Sequence, residues 1–147
     1  MSMGSRSRAF EALLLAFIVL LTLSTGYIHF TVGGIMLTLN SIGYATLAVA
    51  VVGSAIFFRR FLPLVLIALA LYAVVTIIGW LIMGPYYDVA YMAKAIEIVL
   101  ITTIGLTLRG MGDETRAALV WLMLLPVALM AMLRRQPQAG TTAKSEE

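Results

Sequence analysis

The sequence predicts an all-α fold, a polytopic bundle of transmembrane helices, and three observations carry that prediction. Hydrophobic residues make up 62% of the 147 positions and charged residues only 12%, for a mean hydropathy of +1.03. The apolar residues fall in long runs of the length that crosses a hydrocarbon core about 30 Å thick. The charged residues sit singly or in pairs, mostly at the ends of those runs. A chain so built has no face left for water, which excludes an ordinary soluble domain. The net charge of +3 therefore reads as an orientation signal, and no nucleic-acid partner is expected. Without a cysteine, disulfides, thiolate metal sites, iron–sulfur clusters and cysteine nucleophiles are excluded.

The first span runs over residues 9–27 or 9–30, behind a short N-terminal segment, 1–8, that carries Arg6 and Arg8. Those arginines place the N-terminus in the cytoplasm. A basic start followed by an apolar run also describes a signal peptide. Here Tyr27, Ile28, His29 and Phe30 stand where a small-residue cleavage site would be, so the segment is read as a retained span. Gly33 and Gly34 supply a tight turn into the second span, residues 35–58, which contains Asn40, Ser41, Gly43 and Tyr44 and ends at Arg59 and Arg60. Gly43 and Gly53 offer flat contact surfaces there. Pro63 is tolerated in the first turn of the third span, which reaches Met83 and carries Tyr72, Thr76, Gly79 and Trp80. A short turn rimmed by Tyr86 and Tyr87 leads to the fourth span, residues 86–109.

Beyond a polar loop with Asp113 and Glu114, the last apolar stretch, residues 117–133, contains Pro126 and is at the lower length limit for a span. Five spans are predicted, with four plus a re-entrant or interfacial C-terminal helix as the alternative. Residues 9–133 form the bundle, and 134–147 read as a disordered polar tail. Arg6, Arg8, Arg59, Arg60, Arg109 and Arg116 fall on the cytoplasmic side, against Arg134, Arg135 and Lys144 outside. The predicted location is thus the cell inner membrane, multi-pass.

The fourth span is the unusual one. A helix entering the hydrocarbon near Asp88 carries Lys94 about 9 Å deep and Glu97 about 13 Å deep. Lysine can snorkel outward along its stem, but a glutamate at that depth must be paired, protonated or turned to a polar cavity. Spaced three apart, the two side chains can touch. The same topology places Ser24, Thr25, His29, Asn40, Tyr44, Tyr72 and Thr76 in the outer half of the bundle, whereas the inner half is almost purely apolar. His29, Asn40, Tyr44, Thr76, Lys94 and Glu97 are therefore the candidates for ligand binding or proton handling. The alternatives are a structural clamp between helices and a contact with a partner membrane subunit.

Catalytic and metal-binding signatures are lacking: there is no phosphate loop, no His-Glu-x-x-His and no serine elbow. His29 is the sole histidine, so one chain cannot offer two imidazoles to a haem. A copper or zinc site from His29, Asp88 and Glu97 has suitable ligand types without a supporting spacing. No cofactor or metal is predicted.

The segments Gly-Tyr-Ile-His-Phe (26–30), Gly-Gly-Ile-Met-Leu-Thr-Leu-Asn-Ser-Ile-Gly-Tyr (33–44), Arg59-Arg60 and Tyr-Met-Ala-Lys-Ala-Ile-Glu-Ile-Val-Leu (91–100) resemble a diffuse group of small bacterial and archaeal multi-pass membrane proteins with no assigned function. The resemblance implies a bundle of this plan and singles out His29, Asn40, Tyr44, Lys94 and Glu97, without implying an activity. The functional expectation is a non-enzymatic accessory subunit or small-ligand-binding bundle, in contact with membrane lipid and with either a larger membrane complex or its own copies. Alternatives are a small proton-coupled transporter or transporter subunit using Glu97, and a membrane enzyme acting on a lipid or quinone.

Overall fold

A computed structural model of the chain describes residues 3–84, 87–113 and 115–116. They form α1 (Met3–Val32), α2 (Ile35–Phe57), α3 (Leu62–Met83) and α4 (Asp88–Met111), with a single 3₁₀ turn, Arg59–Phe61, before α3. All four α-helices are long and apolar enough to cross a membrane, so the described chain is a four-span helical bundle. The predicted fifth span, 117–133, and the polar tail lie outside the described residues. The helix α1 begins at Met3, ahead of the predicted start at residue 9.

The helix ends follow local chemistry. Gly33 and Gly34 take positive φ values of 79° and 92°, which an L side chain resists, and they let α1 reverse into α2 within two residues. Pro63 occupies the first turn of α3, where its missing N–H leaves no helical bond unmade. Successive helices run up and down, with α1 packed on α2 and α4, and α3 on the same two neighbours. The result is a square bundle whose diagonals, α1 to α3 and α2 to α4, meet only through the interior.

One end of the bundle is closed by Ile18, Val51, Leu62, Leu66, Leu100 and Ile104, all buried. Leu13, Phe17, Leu20, Val49, Leu71 and Ile98 are exposed on the outer surface, where they meet lipid. Because lipid tails are as apolar as the core, hydrophobic burial contributes little to helix association here; close packing and interhelical hydrogen bonds carry it. At this closed end, Arg59 Nη2 donates to both oxygens of Glu11 at 2.5 and 2.6 Å. The pair fastens the end of α2 to the start of α1. Its exposed position limits it to about 1 kcal/mol or less.

Candidate functional site

The buried face of α4 is the stripe Ala93, Lys94, Glu97, Leu100, Thr103, Ile104 and Thr107, spaced as one side of a helix requires. Turning Leu100 and Ile104 into the core turns Lys94 and Glu97 inward with them. Lys94 therefore does not snorkel to the boundary. It is only 7% exposed, and Glu97 is 0% exposed.

Each oxygen of the Glu97 carboxylate has its own partners. Oε2 accepts from Lys94 Nζ at 2.7 Å. Oε1 accepts from Tyr44 Oη of α2 at 3.0 Å and from Thr25 Oγ1 of α1 at 3.3 Å. Lys94 also donates to the Thr76 carbonyl of α3 at 3.3 Å. One carboxylate thus ties together side chains from three helices, and its counter-ion reaches the fourth. A buried ion pair of this kind is tolerated because both charges are compensated and hydrogen-bonded. No buried side-chain nitrogen or oxygen lacks a partner among the described residues.

His29 adds a second titratable group. Its Nδ1 lies 2.8 Å from the Thr25 carbonyl. A carbonyl only accepts, so Nδ1 carries the hydrogen. In the neutral ring Nε2 is then a bare lone pair, 3.8 Å from Glu97 Oε1. A proton taken up at Nε2 would face the carboxylate directly. The residue Thr25 serves both partners, orienting the imidazole through its carbonyl and donating to Glu97 through its hydroxyl.

The hydroxyls of Tyr44 and Thr76 have fewer protons than contacts. Tyr44 Oη is 2.9 Å from Thr76 Oγ1, and Thr76 Oγ1 lies 2.8 Å from the Ala73 carbonyl. With the contact to Glu97, three hydrogen bonds share two protons. While Glu97 is ionised, Tyr44 donates to Glu97, and the single Thr76 proton goes to Tyr44 or to the Ala73 carbonyl. When Glu97 is protonated it donates to Tyr44, the chain reverses, and Thr76 donates to the Ala73 carbonyl. Both arrangements leave every hydroxyl paired, so protonation of Glu97 costs the hydroxyls no hydrogen bond; what it removes is the countercharge of Lys94.

Two close approaches seat this chain. At Gly26, an added Cβ would stand 3.3 Å from Tyr44 Cβ, and at Gly43 it would collide with the Tyr72 phenol. With only hydrogen at these positions, Tyr44 fits between α1 and the ring of Tyr72, which meets it edge-on at 4.9 Å. Gly53, the other predicted contact surface, has nothing within 4 Å of an added Cβ.

Above the network, towards the end that carries the Gly33–Gly34 turn, lies a cavity of about 320 Å³. His29, Asn40, Thr76 and Lys94 are its polar lining, and Met36, Val75, Trp80, Met83 and Tyr87 contribute apolar and aromatic walls. Glu97 lies beneath it, behind Lys94. Trp80 packs edge-on against Tyr91 of α4 at 5.2 Å, which braces the wall between α3 and α4.

Five of the six sequence candidates, His29, Tyr44, Thr76, Lys94 and Glu97, meet in one network. Asn40 does not join it. It accepts from Tyr72 Oη at 3.2 Å through Oδ1 and lines the cavity, because its position a turn from Tyr44 lies nearer the end of the bundle. Ser24 turns to the Leu20 carbonyl of its own helix at 2.8 Å. Glu11, which sequence reading passed over, is marked only by its place in the first turns of an apolar run. Trp80 and Tyr87 as cavity walls carry no signal in the sequence beyond aromatic character near a helix end. Asp88 does not gather with His29 and Glu97, and no group of three His, Cys, Asp or Glu side chains suited to a metal occurs among the described residues. No protein-family model, curated protein or solved structure matches the chain.

Proposed function

We propose that this protein is a small proton-coupled membrane transporter, or the proton-coupled subunit of one, with Glu97 as its protonatable group. The observation that carries the reading is the joint placement of Glu97 and Lys94: a fully buried carboxylate whose lysine partner also lines a cavity. An ionisable pair within a membrane bundle marks a substrate or proton path more readily than it adds stability. His29 borders both the cavity and Glu97, and so lies between the cavity and the buried acid. The reversible hydroxyl chain keeps Tyr44 and Thr76 hydrogen-bonded in either charge state of Glu97. With the N-terminus in the cytoplasm, as the arginine distribution favours, the cavity opens to the extracytoplasmic face.

The test is proton entry into proteoliposomes holding a pH-sensitive dye, with a pH step imposed across the membrane and small amphipathic solutes outside. Solute-dependent proton entry in the wild type, absent in Glu97→Gln protein of unchanged helicity and melting temperature, is the expected result. No flux, together with stoichiometric co-purification of a larger membrane protein, would overturn the reading in favour of an accessory subunit.

A further inference from the structure

The proposed transporter lacks a substrate class, and the cavity supplies one. A molecule entering it meets Lys94 as the charged side chain of the lining, because Glu97 lies behind the lysine and does not border the space. The groups facing Glu97 are His29 and Thr25 from α1, Tyr44 from α2 with Tyr72 of α3 stacked against it, and Lys94 from α4. Among them Lys94 is the ion-pair partner of Glu97. Of its three ammonium hydrogens, one goes to Glu97 Oε2 and one to the Thr76 carbonyl. The third has no protein acceptor among the described residues.

Protonating Glu97 removes the countercharge, and an uncompensated ammonium this deep is unfavourable. One negative charge delivered from the cavity would make the deficit good. We infer that the cavity binds an amphipathic monocarboxylate, its carboxylate on Lys94 Nζ and its apolar body against Met36, Val75, Trp80 and Met83, together with one proton on Glu97. This inference rests on the proton-coupled reading above and names its cargo. The exchange balances: the Lys94–Glu97 ion pair, a proton and a carboxylate anion become a Lys94–carboxylate ion pair and a neutral Glu97. Net charge at the site is the same before and after, so the loaded protein carries no added charge in the membrane. A cation has no place in this scheme, since it would have to pass Lys94 to reach Glu97. A volume of about 320 Å³ sits at the small end of the range for organic ligands, about 300–1,000 Å³.

The experiment uses the full chain in lipid nanodiscs and two carboxylates, octanoate and benzoate. Each is compared with its neutral alcohol and its quaternary ammonium counterpart, with binding and proton uptake read by calorimetry in buffers of different ionisation enthalpy. The expected result is saturable binding of a carboxylate with uptake of one proton, and affinity falling about tenfold per unit rise in pH where Glu97 is ionised, because the two ligands are reciprocally linked. Preference for octanoate would point to an acyl chain drawn from the membrane, and preference for benzoate to a water-soluble aromatic acid; both support the proposal. In Glu97→Gln the carboxylate binds without proton uptake or pH dependence, and in Lys94→Gln it does not bind. Equal binding of the alcohol or the ammonium compound by the wild type, a comparison that needs no variant, overturns the inference; proton uptake that is still abolished by Glu97→Gln then leaves the proton-coupled reading standing. Carboxylate binding without proton uptake, unchanged by Glu97→Gln, overturns both.

Discussion

The two ends of the bundle differ in where their buried polar atoms find partners. Towards the Arg59 end, the hydroxyls of Ser54, Thr103 and Thr107 are buried, yet each donates to a carbonyl of its own helix three or four residues back. These bonds exist as soon as the helix forms. Towards the cavity, Thr25, Tyr44, Lys94 and Glu97 find partners chiefly on other helices. Apart from the Lys94–Glu97 pair, which lies within α4, their pairing exists only in the assembled bundle. The difference teaches that a buried polar residue inside a membrane protein is informative when its partner is distant in sequence, and otherwise is compatible with plain packing.

The harshest way to break this comparison is Lys94→Met. Glu97 would be left buried without its counter-ion, at a cost of about 3–5 kcal/mol, read as a lowered melting temperature in mild detergent. The double variant Lys94→Met with Glu97→Leu is expected to recover most of that loss, since an apolar pair of similar volume needs no compensation. Failure of the double variant to recover would show that the pair contributes packing that no apolar side chains reproduce. At the other end, Leu66→Ala opens a void among Ile18, Leu62 and their neighbours. The expected cost is about 2–5 kcal/mol, with no second substitution at the Arg59 end able to relieve it by charge removal. Tyr44→Phe comes next, at about 1.5–3 kcal/mol for losing a hydrogen bond to a charged group.

This division also explains what the sequence disclosed. Four spans are legible because hydropathy and the Gly33–Gly34 and Pro63 punctuation report on backbone needs that are local. The placement of Lys94 and Glu97 on one face of α4 is legible for the same reason. What joins Thr25 to Glu97, or Tyr44 to Thr76, is the relative rotation of separate helices, and no helix records its rotation in its own residues. Asn40 illustrates the limit: it shares a helix face with Tyr44, yet one turn of rise carries it out of the network to Tyr72. Glu11 illustrates it too, because its partner Arg59 lies at the far end of the next span.

The mildest test asks whether two buried threonines differ as their partners imply. Thr25 and Thr103 are both buried, and replacing either by valine keeps its shape while removing the hydroxyl. In Thr103→Val the lost bond runs to the Val99 carbonyl, which retains its ordinary helical environment. A bond of that kind only competes with the helix, so the expected change lies below about 0.6 kcal/mol, the average for a hydrogen bond between membrane helices. In Thr25→Val the bond removed is a donor to the Glu97 carboxylate, which cannot draw on water to replace it. Here the expected loss is about 1.5 kcal/mol or more, and it should shrink in a Glu97→Leu background, where no carboxylate remains to be satisfied. Measured as a double-mutant cycle by reversible unfolding in detergent, a coupling between positions 25 and 97, with none between 103 and 97, would place the energetic boundary between the two ends where the hydrogen bonds draw it. Equal losses at the two threonines would mean that burial alone, and not the helix that supplies the partner, governs the cost.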